Sequence, residues 1–325
     1  MSAPAHIPVL LDEVLALLAP RPGETLLDCT AGLGGHAARL GAELGPKSNV
    51  VLMDLDATNL ARSAARVSAL PNGPRVFAVH GSFAEAPHRL PALGLRADLV
   101  LADLGFASTQ VDDPSRGLSF MSDGPLDMRL NPAAGPTAAD LVASLSEQDL
   151  ERVIREYGEE RHAGAIARAI VQARGARAWG GVGVVGGWGV GGAITRTSQL
   201  ADIVRRVVRR SPDGIDPATR TFQALRIAVN DELGHLEALL DHVRVAAGSA
   251  DESAGSGRWL SPGARVAIIA FHSLEDRPVK RAFAELVALG LAEHLGGGPI
   301  RPSDAEASAN PRARSARLRA IALRG

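Results

Sequence analysis

Four short apolar runs punctuate the first hundred residues: Thr25 to Cys29, Asn49 to Asp54, Arg75 to Val79 and Asp98 to Leu104. Between them the apolar positions recur at helical spacing. Strands alternating with helices predict a parallel sheet covered by helices. The alternation then stops, and from about Gly105 to Pro212 no comparable strand is found. Helices are predicted there from Ser146, an N-cap followed by Glu147, Gln148 and Asp149, and from near Thr197. Asp216-Pro217 reads as a helix start, leading through Asn230. The sheet pattern resumes with Gly263 to Phe271 as a buried strand, Ser273 as the cap of the next helix, and Ala316 to Leu323 as a last edge strand. The chain is therefore expected to be an α/β protein with a doubly wound, Rossmann-like sheet and an inserted helical domain. The core is assigned to 1–104 and 213–325, and the insertion to 105–212.

The first strand breaks into glycines, Leu26-Leu27-Asp28-Cys29-Thr30-Ala31-Gly32-Leu33-Gly34-Gly35-His36, and then opens a helix. Glycines suit a sharp turn that a ligand approaches closely, and the helix N-terminus attracts polar or anionic groups. The second run ends in Asp54, placed to accept from ribose hydroxyls, and the fourth ends in Asp103 at the same carboxyl edge of the sheet. Gly32-x-Gly34-x-x-Ala37 also fits the dinucleotide fingerprint, so the turn alone does not separate a nicotinamide cofactor from S-adenosylmethionine.

Composition narrows the class. With 46% hydrophobic residues the chain can bury a sizeable core, and its one cysteine, Cys29, lies in the first strand, so no disulfide framework is available. That suits a reducing cytoplasm. The N-terminal segment interleaves Asp12 and Glu13 with its apolar residues, unlike a signal peptide. The longest uncharged interval, Ala178 to Thr195, has 18 residues and eight glycines, a poor membrane span. Net charge is −1, yet Glu151 to Arg210 holds eleven Arg against five acids, and Arg301 to Arg324 six Arg against Asp304 and Glu306. Such patches hold phosphates, although arginine is also the general cation of a chain whose only lysines are Lys47 and Lys280. Trp179 and Trp188, within the Gly-rich stretch 175–192, fit either a loop that stacks on bases or filler, and 246–257 reads as a loose surface loop.

On the helix from Pro217, Thr219, Gln223, Arg226 and Asn230 form one polar stripe beside an apolar face of Phe222, Leu225, Val229, Leu233 and Leu236. That stripe is either solvated or catalytic, and Asn230 is taken as a catalytic candidate. His272 follows the fifth strand at the edge that holds Asp103, and is a candidate proton acceptor. Ser273-x-x-Asp276 reads as a capping arrangement. Asp112, Asp113 and Asp127 lack ligand spacing and are assigned loop and turn roles, with no metal site expected.

Five long segments in order carry a resemblance: His6 to Val14, Asp103 to Arg129, Arg220 to Leu233, Phe271 to Arg277, and Asn310 to Ala316. Together they resemble the ribosomal RNA small subunit methyltransferase H family over nearly the whole chain. The resemblance implies a class I methyltransferase fold that uses S-adenosylmethionine to methylate the exocyclic N4 of a cytidine in the decoding centre of bacterial 16S rRNA. It implies cofactor contacts at Gly34, Gly35, His36, Asp54, Phe83, Asp103 and Gln110, with Asp103 also catalytic. Arg116, Arg129, Arg220 and Arg226 are expected to meet the RNA. The implied partner is 16S rRNA within the small ribosomal subunit, with no membrane association; a homodimer stays open. The chain departs from the family at 175–192, at Asp216 and at Gly298, the last two standing where a basic residue is expected. Two other readings compete: a nicotinamide-dependent oxidoreductase, resting on the glycine turn and Asp54, and a catalytically silent rRNA-binding assembly factor.

Overall fold

The computed structural model describes residues 8–175, 192–208, 214–248 and 258–324. Trp179, Trp188 and most of the Gly-rich stretch lie outside them. The chain divides into two compact units, one formed by Met1–Gly105 with Leu233–Gly325 and the other by Phe106–Glu232.

In the first unit the elements run α1 (Leu11–Leu18), β1 (Thr25–Asp28), α2 (Gly35–Leu44), β2 (Asn49–Asp54), α3 (Ala57–Ser68), β3 (Arg75–His80), α4 (Ala86–Ala92) and β4 (Ala97–Asp103). The second unit supplies α5 (Ser108–Asp112), α6 (Ala138–Ser144), α7 (Glu147–Gly158), α8 (Ala163–Gly175), α9 (Thr197–Val207) and α10 (Ala218–Asn230). The chain then completes the first unit with α11 (Glu232–Gly248), β5 (Leu260–Ala270), α12 (Ser273–Ala288), β6 (Ala292–Ile300), α13 (Asp304–Ala309) and β7 (Arg317–Leu323).

Among the described residues one seven-stranded sheet has the order β3-β2-β1-β4-β5-β7-β6. The first five strands are parallel, and β7 runs antiparallel between β5 and β6. The order reverses at β1, where β2 pairs on one side and β4 on the other, so ligand space is expected beyond the carboxyl ends of these strands. Strands β1, β2, β4 and β5 read as continuous apolar runs because both faces are covered. Leu27, Val51, Val100 and Ile268 pack on one side with Leu90, Leu239 and Phe283, while Leu26, Leu52, Leu99 and Ile269 pack on the other with Leu40, Leu60 and Val14. Cys29 is buried in the first of these cores, which pushes its thiol well above the ordinary range and leaves it inert.

Four expectations are corrected. The predicted edge strand 316–323 is interior, because β6 adds outside it; β6 escapes the sequence pattern because it is mostly exposed and contains Gly296, Gly297, Gly298 and Pro299. Residues 246–248, assigned to a loop, close α11. The core boundary drawn at 213 also moves, since α10 packs on α6, α7 and α9 and shares the second unit's core through Phe222 and Leu225. The long helix predicted through Leu236 breaks at Asp231, which has φ +49°, so Leu236 belongs to α11 and to a different core from Phe222.

Candidate functional site

The chain leaves β1 through Gly32 (φ +50°) and Gly34 (φ +72°), backbone shapes that L side chains rarely adopt. A Cβ on Gly34 would stand 2.7 Å from Ser63 Oγ and 2.9 Å from Ser63 Cα, and one on Gly35 would strike the Pro8 ring. These glycines therefore serve close packing on α3 and on the N-terminal segment, where the sequence suggests room for a ligand. What the turn offers a ligand is backbone. The first α2 bond runs from Ala38 N–H to the Gly34 carbonyl, so the N–H groups of Gly35, His36 and Ala37 stand at the positive end of the helix.

Asp54, at the end of β2, ties this turn down. Its Oδ2 accepts from Gly32 N–H at 2.8 Å and its Oδ1 from Asp56 N–H at 2.8 Å. Burial nonetheless raises its carboxyl above the usual range, the two backbone bonds opposing it. Each oxygen keeps a lone-pair direction for a further donor.

At the end of β4, Asp103 N–H donates to Thr30 Oγ1 at 2.7 Å, joining the ends of β1 and β4. The carboxyl has a buried Oδ1 with no hydrogen-bond partner among the described residues. Burial pushes its pKa up to about 7. Asp28 behind it is also pushed up to about 7 by burial, against the pull of His36 and a 3.1 Å bond from Thr30 N–H. His36 lies between α2 and the N-terminal segment: Nε2 donates to the Val9 carbonyl at 2.9 Å, and Nδ1 is 3.6 Å from Asp103 Oδ2. Burial lowers its pKa, Asp28 opposing. The predicted contacts Gly34, Gly35, His36, Asp54 and Asp103 are thus brought to one carboxyl edge. Phe83, in the turn after β3, is half-buried and stacks edge-to-face on His235 with centroids 6.1 Å apart.

His272 stands two residues beyond β5, with Nε2 3.2 Å from Glu275 Oε1. Here the capping expectation shifts by one residue: His272 is the N-cap of α12, and Glu275 Oε2 accepts from Phe271 N–H at 2.8 Å and His272 N–H at 3.3 Å. Asp276 instead accepts from Arg317 and Arg319 of β7, which hold its carboxyl down despite the opposing effect of burial.

The remaining predicted residues lie in the second unit and are engaged by their own chain. Gln110 Oε1 accepts from Ala107 N–H at 2.8 Å and closes the short α5. Arg116 donates to the carbonyls of Arg129 and Leu130, and Arg129 pairs bidentately with Asp127 at 2.7 and 2.8 Å. Arg220 lies 3.8 Å from buried Glu160. Arg226 pairs bidentately with Glu232 at 2.8 Å and lies over the Phe106 ring.

Asn230, expected from the sequence to be catalytic, is held by backbone groups of its own chain. Its Oδ1 accepts from Leu130 N–H at 2.7 Å, and its Nδ2 donates to the carbonyls of Met128 and Arg226 at 2.8 and 2.9 Å. It clamps both sides of a backbone that bends left-handed at Met128, φ +65°. Gln223 likewise donates to the Tyr157 carbonyl, so these residues of the half-buried polar stripe of α10 are engaged by their own chain. Asp113 and Asp127 keep their turn roles, accepting from Ser115 and Arg129.

The first unit's edge fits a ligand with a polar, hydroxylated part at Asp54 and a cationic or amine part at Asp103. The orphaned Oδ1 and the open α2 N-terminus are what such a ligand would satisfy. Sequence reasoning missed Asp28, Thr30 and Glu275; an acid inside an otherwise apolar strand was the available signal for the first.

The chain matches the family model described as the MraW methylase family over residues 3–324. It is 44% identical to the ribosomal RNA small subunit methyltransferase H of Rhodospirillum centenum, across 97% of this chain and 91% of that protein. The protein of the same name from Symbiobacterium thermophilum is 42% identical, across 97% of this chain and 96% of its own. Among solved structures, an rRNA methylase from Streptococcus thermophilus aligns with 99% of this chain and 100% of its own at 10% identity and a TM-score of 0.38.

Proposed function

The chain belongs to the MraW methylase family and is an S-adenosylmethionine-dependent methyltransferase of small-subunit ribosomal RNA, and from that premise we propose that it methylates the exocyclic N4 of a cytidine in the decoding centre of bacterial 16S rRNA. The cofactor, when bound, supplies an electrophilic methyl group on a sulfonium. The observation that carries the reading is Asp103: a strand-end carboxyl with a buried, unpartnered oxygen, beside the glycine turn and the Asp54 carboxylate. In this reading the N–H groups of Gly35 and His36 and the carboxylate of Asp54 hold the polar parts of the cofactor, and Phe83 offers an aromatic edge. Asp103 accepts a hydrogen bond from the target amine and aligns it with the methyl, and positioning of that kind supplies a large part of the rate enhancement in bimolecular transfers. An amine whose lone pair is delocalised into the cytosine ring gains most from such alignment. The base has to leave its stack to reach the edge of the sheet, which suits loop or single-stranded RNA.

His272, held by Glu275 just beyond β5, is the second proposed active-site group, as a substrate contact or proton acceptor. No helix among the described residues is long and apolar enough to cross a membrane. Purified protein incubated with labelled S-adenosylmethionine and small subunits from cells lacking the modification is expected to yield N4-methylcytidine by nucleoside mass spectrometry. The label is expected to vanish in Asp103→Ala. Transfer to any other atom, or wild-type levels in that variant, would overturn the reading.

A further inference from the structure

The family resemblance gives His36 a cofactor contact, but both of its ring nitrogens face the protein. Nε2 meets the Val9 carbonyl at 2.9 Å inside the core. A carbonyl oxygen only accepts, so Nε2 carries the hydrogen, and in the neutral ring Nδ1 is a bare lone pair. That atom lies 3.6 Å from Asp103 Oδ2, within ion-pair range though longer than a hydrogen bond, with the imidazole almost wholly out of water. A lone pair opposite a carboxylate in such a setting is repulsive, and one proton placed on either atom turns the contact into an attraction.

We propose that His36 is a positioning residue that shares one proton with Asp103, its tautomer fixed by the Val9 carbonyl, and so sets the pH above which Asp103 acts as the base. The inference rests on the methyl-transfer reading only for its catalytic consequence. In the proton-bearing state either Nδ1 or Oδ2 carries the one proton, and the 3.6 Å contact between them is attractive. In the ionised state the bare Nδ1 keeps the carboxylate a stronger base than burial alone would make it. The N4 lone pair then forms the new N–C bond as the C–S bond breaks, its electron pair staying on sulfur. The proton displaced from N4 goes to Asp103 Oδ1, the oxygen without a partner among the described residues. The other charged groups whose fields reach this pair are Asp28 at the end of β1 and Glu306 on α13. Both are acidic, and they favour retention of the shared proton.

The test begins without cofactor or RNA. In the full chain labelled with ¹⁵N-histidine, the His36 ring is expected to show a protonated Nε2 and an Nδ1 signal that titrates with the same midpoint as the Asp103 carboxyl carbon. In Asp103→Asn that Nδ1 titration is expected to disappear. An Nδ1 signal indifferent to Asp103→Asn would overturn the shared proton, whatever the enzyme's activity. The second arm uses His36→Gln, with His36→Asn as a second variant should the first fold poorly. The acid limb of the methyl-transfer rate is expected to move to lower pH by about half a unit or more, because the group that strengthened the base is gone. Affinity for S-adenosylhomocysteine by calorimetry is expected to stay within about twofold, with the loss in kcat. A roughly tenfold loss of that affinity with an unmoved limb would make His36 a direct cofactor ligand and sink the proposal. Wild-type protein that shows the shared titration and transfers no methyl would instead count against the proposed function alone.

Discussion

At the residue scale, the functional edge is built from groups held in states they would not choose in water. Asp103 has its carboxyl pushed up to about 7, against an ordinary value of 3.8. The folded chain therefore keeps a proton that the unfolded chain releases between those values. This group's contribution to stability falls as pH rises through that window, and the full cost of the buried charge is present above it. Asp103→Asn is expected to stabilise the fold by about 1–3 kcal/mol at pH 8 and by almost nothing at pH 4, as read by urea denaturation, while abolishing transfer. The wild-type kcat/KM is expected to fall as pH drops below about 7, the pH–rate profile being the check. Gly34 is strained for any other residue and pressed against Ser63, so Gly34→Ala is expected to cost about 2 kcal/mol or more of stability. A loss of cofactor affinity with unchanged stability would return Gly34 to the ligand-cradle role suggested by its sequence context.

At the scale of elements, α10 shows how a polar stripe misleads. Gln223, Arg226 and Asn230 recur at helical spacing whether they face water, a substrate or another piece of chain, because periodicity reports only that they share a face. Here they seal α10 to Tyr157, Glu232 and the Met128–Leu130 bend. Asn230→Ala is expected to cost about 1–3 kcal/mol in chemical denaturation, since it leaves the Leu130 N–H and two carbonyls to find other partners. Strands β1, β2, β4 and β5 were legible because buried runs bounded by Gly and Asp have few other readings. The strand β6 was not, because an exposed edge carrying three glycines and a proline looks like a loop until β7 supplies its hydrogen bonds.

At the scale of the whole molecule, each unit has its own core: two layers against the sheet in the first, and a helical core around Leu150, Ile154, Ile166, Leu200 and Phe222 in the second. Phe222→Ala is expected to remove about 3–5 kcal/mol from the helical unit. Affinity for S-adenosylhomocysteine by calorimetry is expected to survive, because the proposed cofactor groups Asp54, Phe83 and Asp103 all belong to the first unit. The sequence by itself determined the α/β class, the glycine turn, the strand-end acids and, through its long motifs, the family. These are local facts: apolar run length, turn chemistry and residue order survive without knowledge of distant neighbours. Only the tertiary structure decided that the glycines make room for Ser63 and Pro8, that Asn230 is a clamp, and that His36 faces Asp103. Each of those depends on a partner tens of residues away, as when Thr30 meets Asp103 across 73 positions. The energy of a polar side chain is set by which partner burial gives it, and a linear pattern records the side chain without the partner.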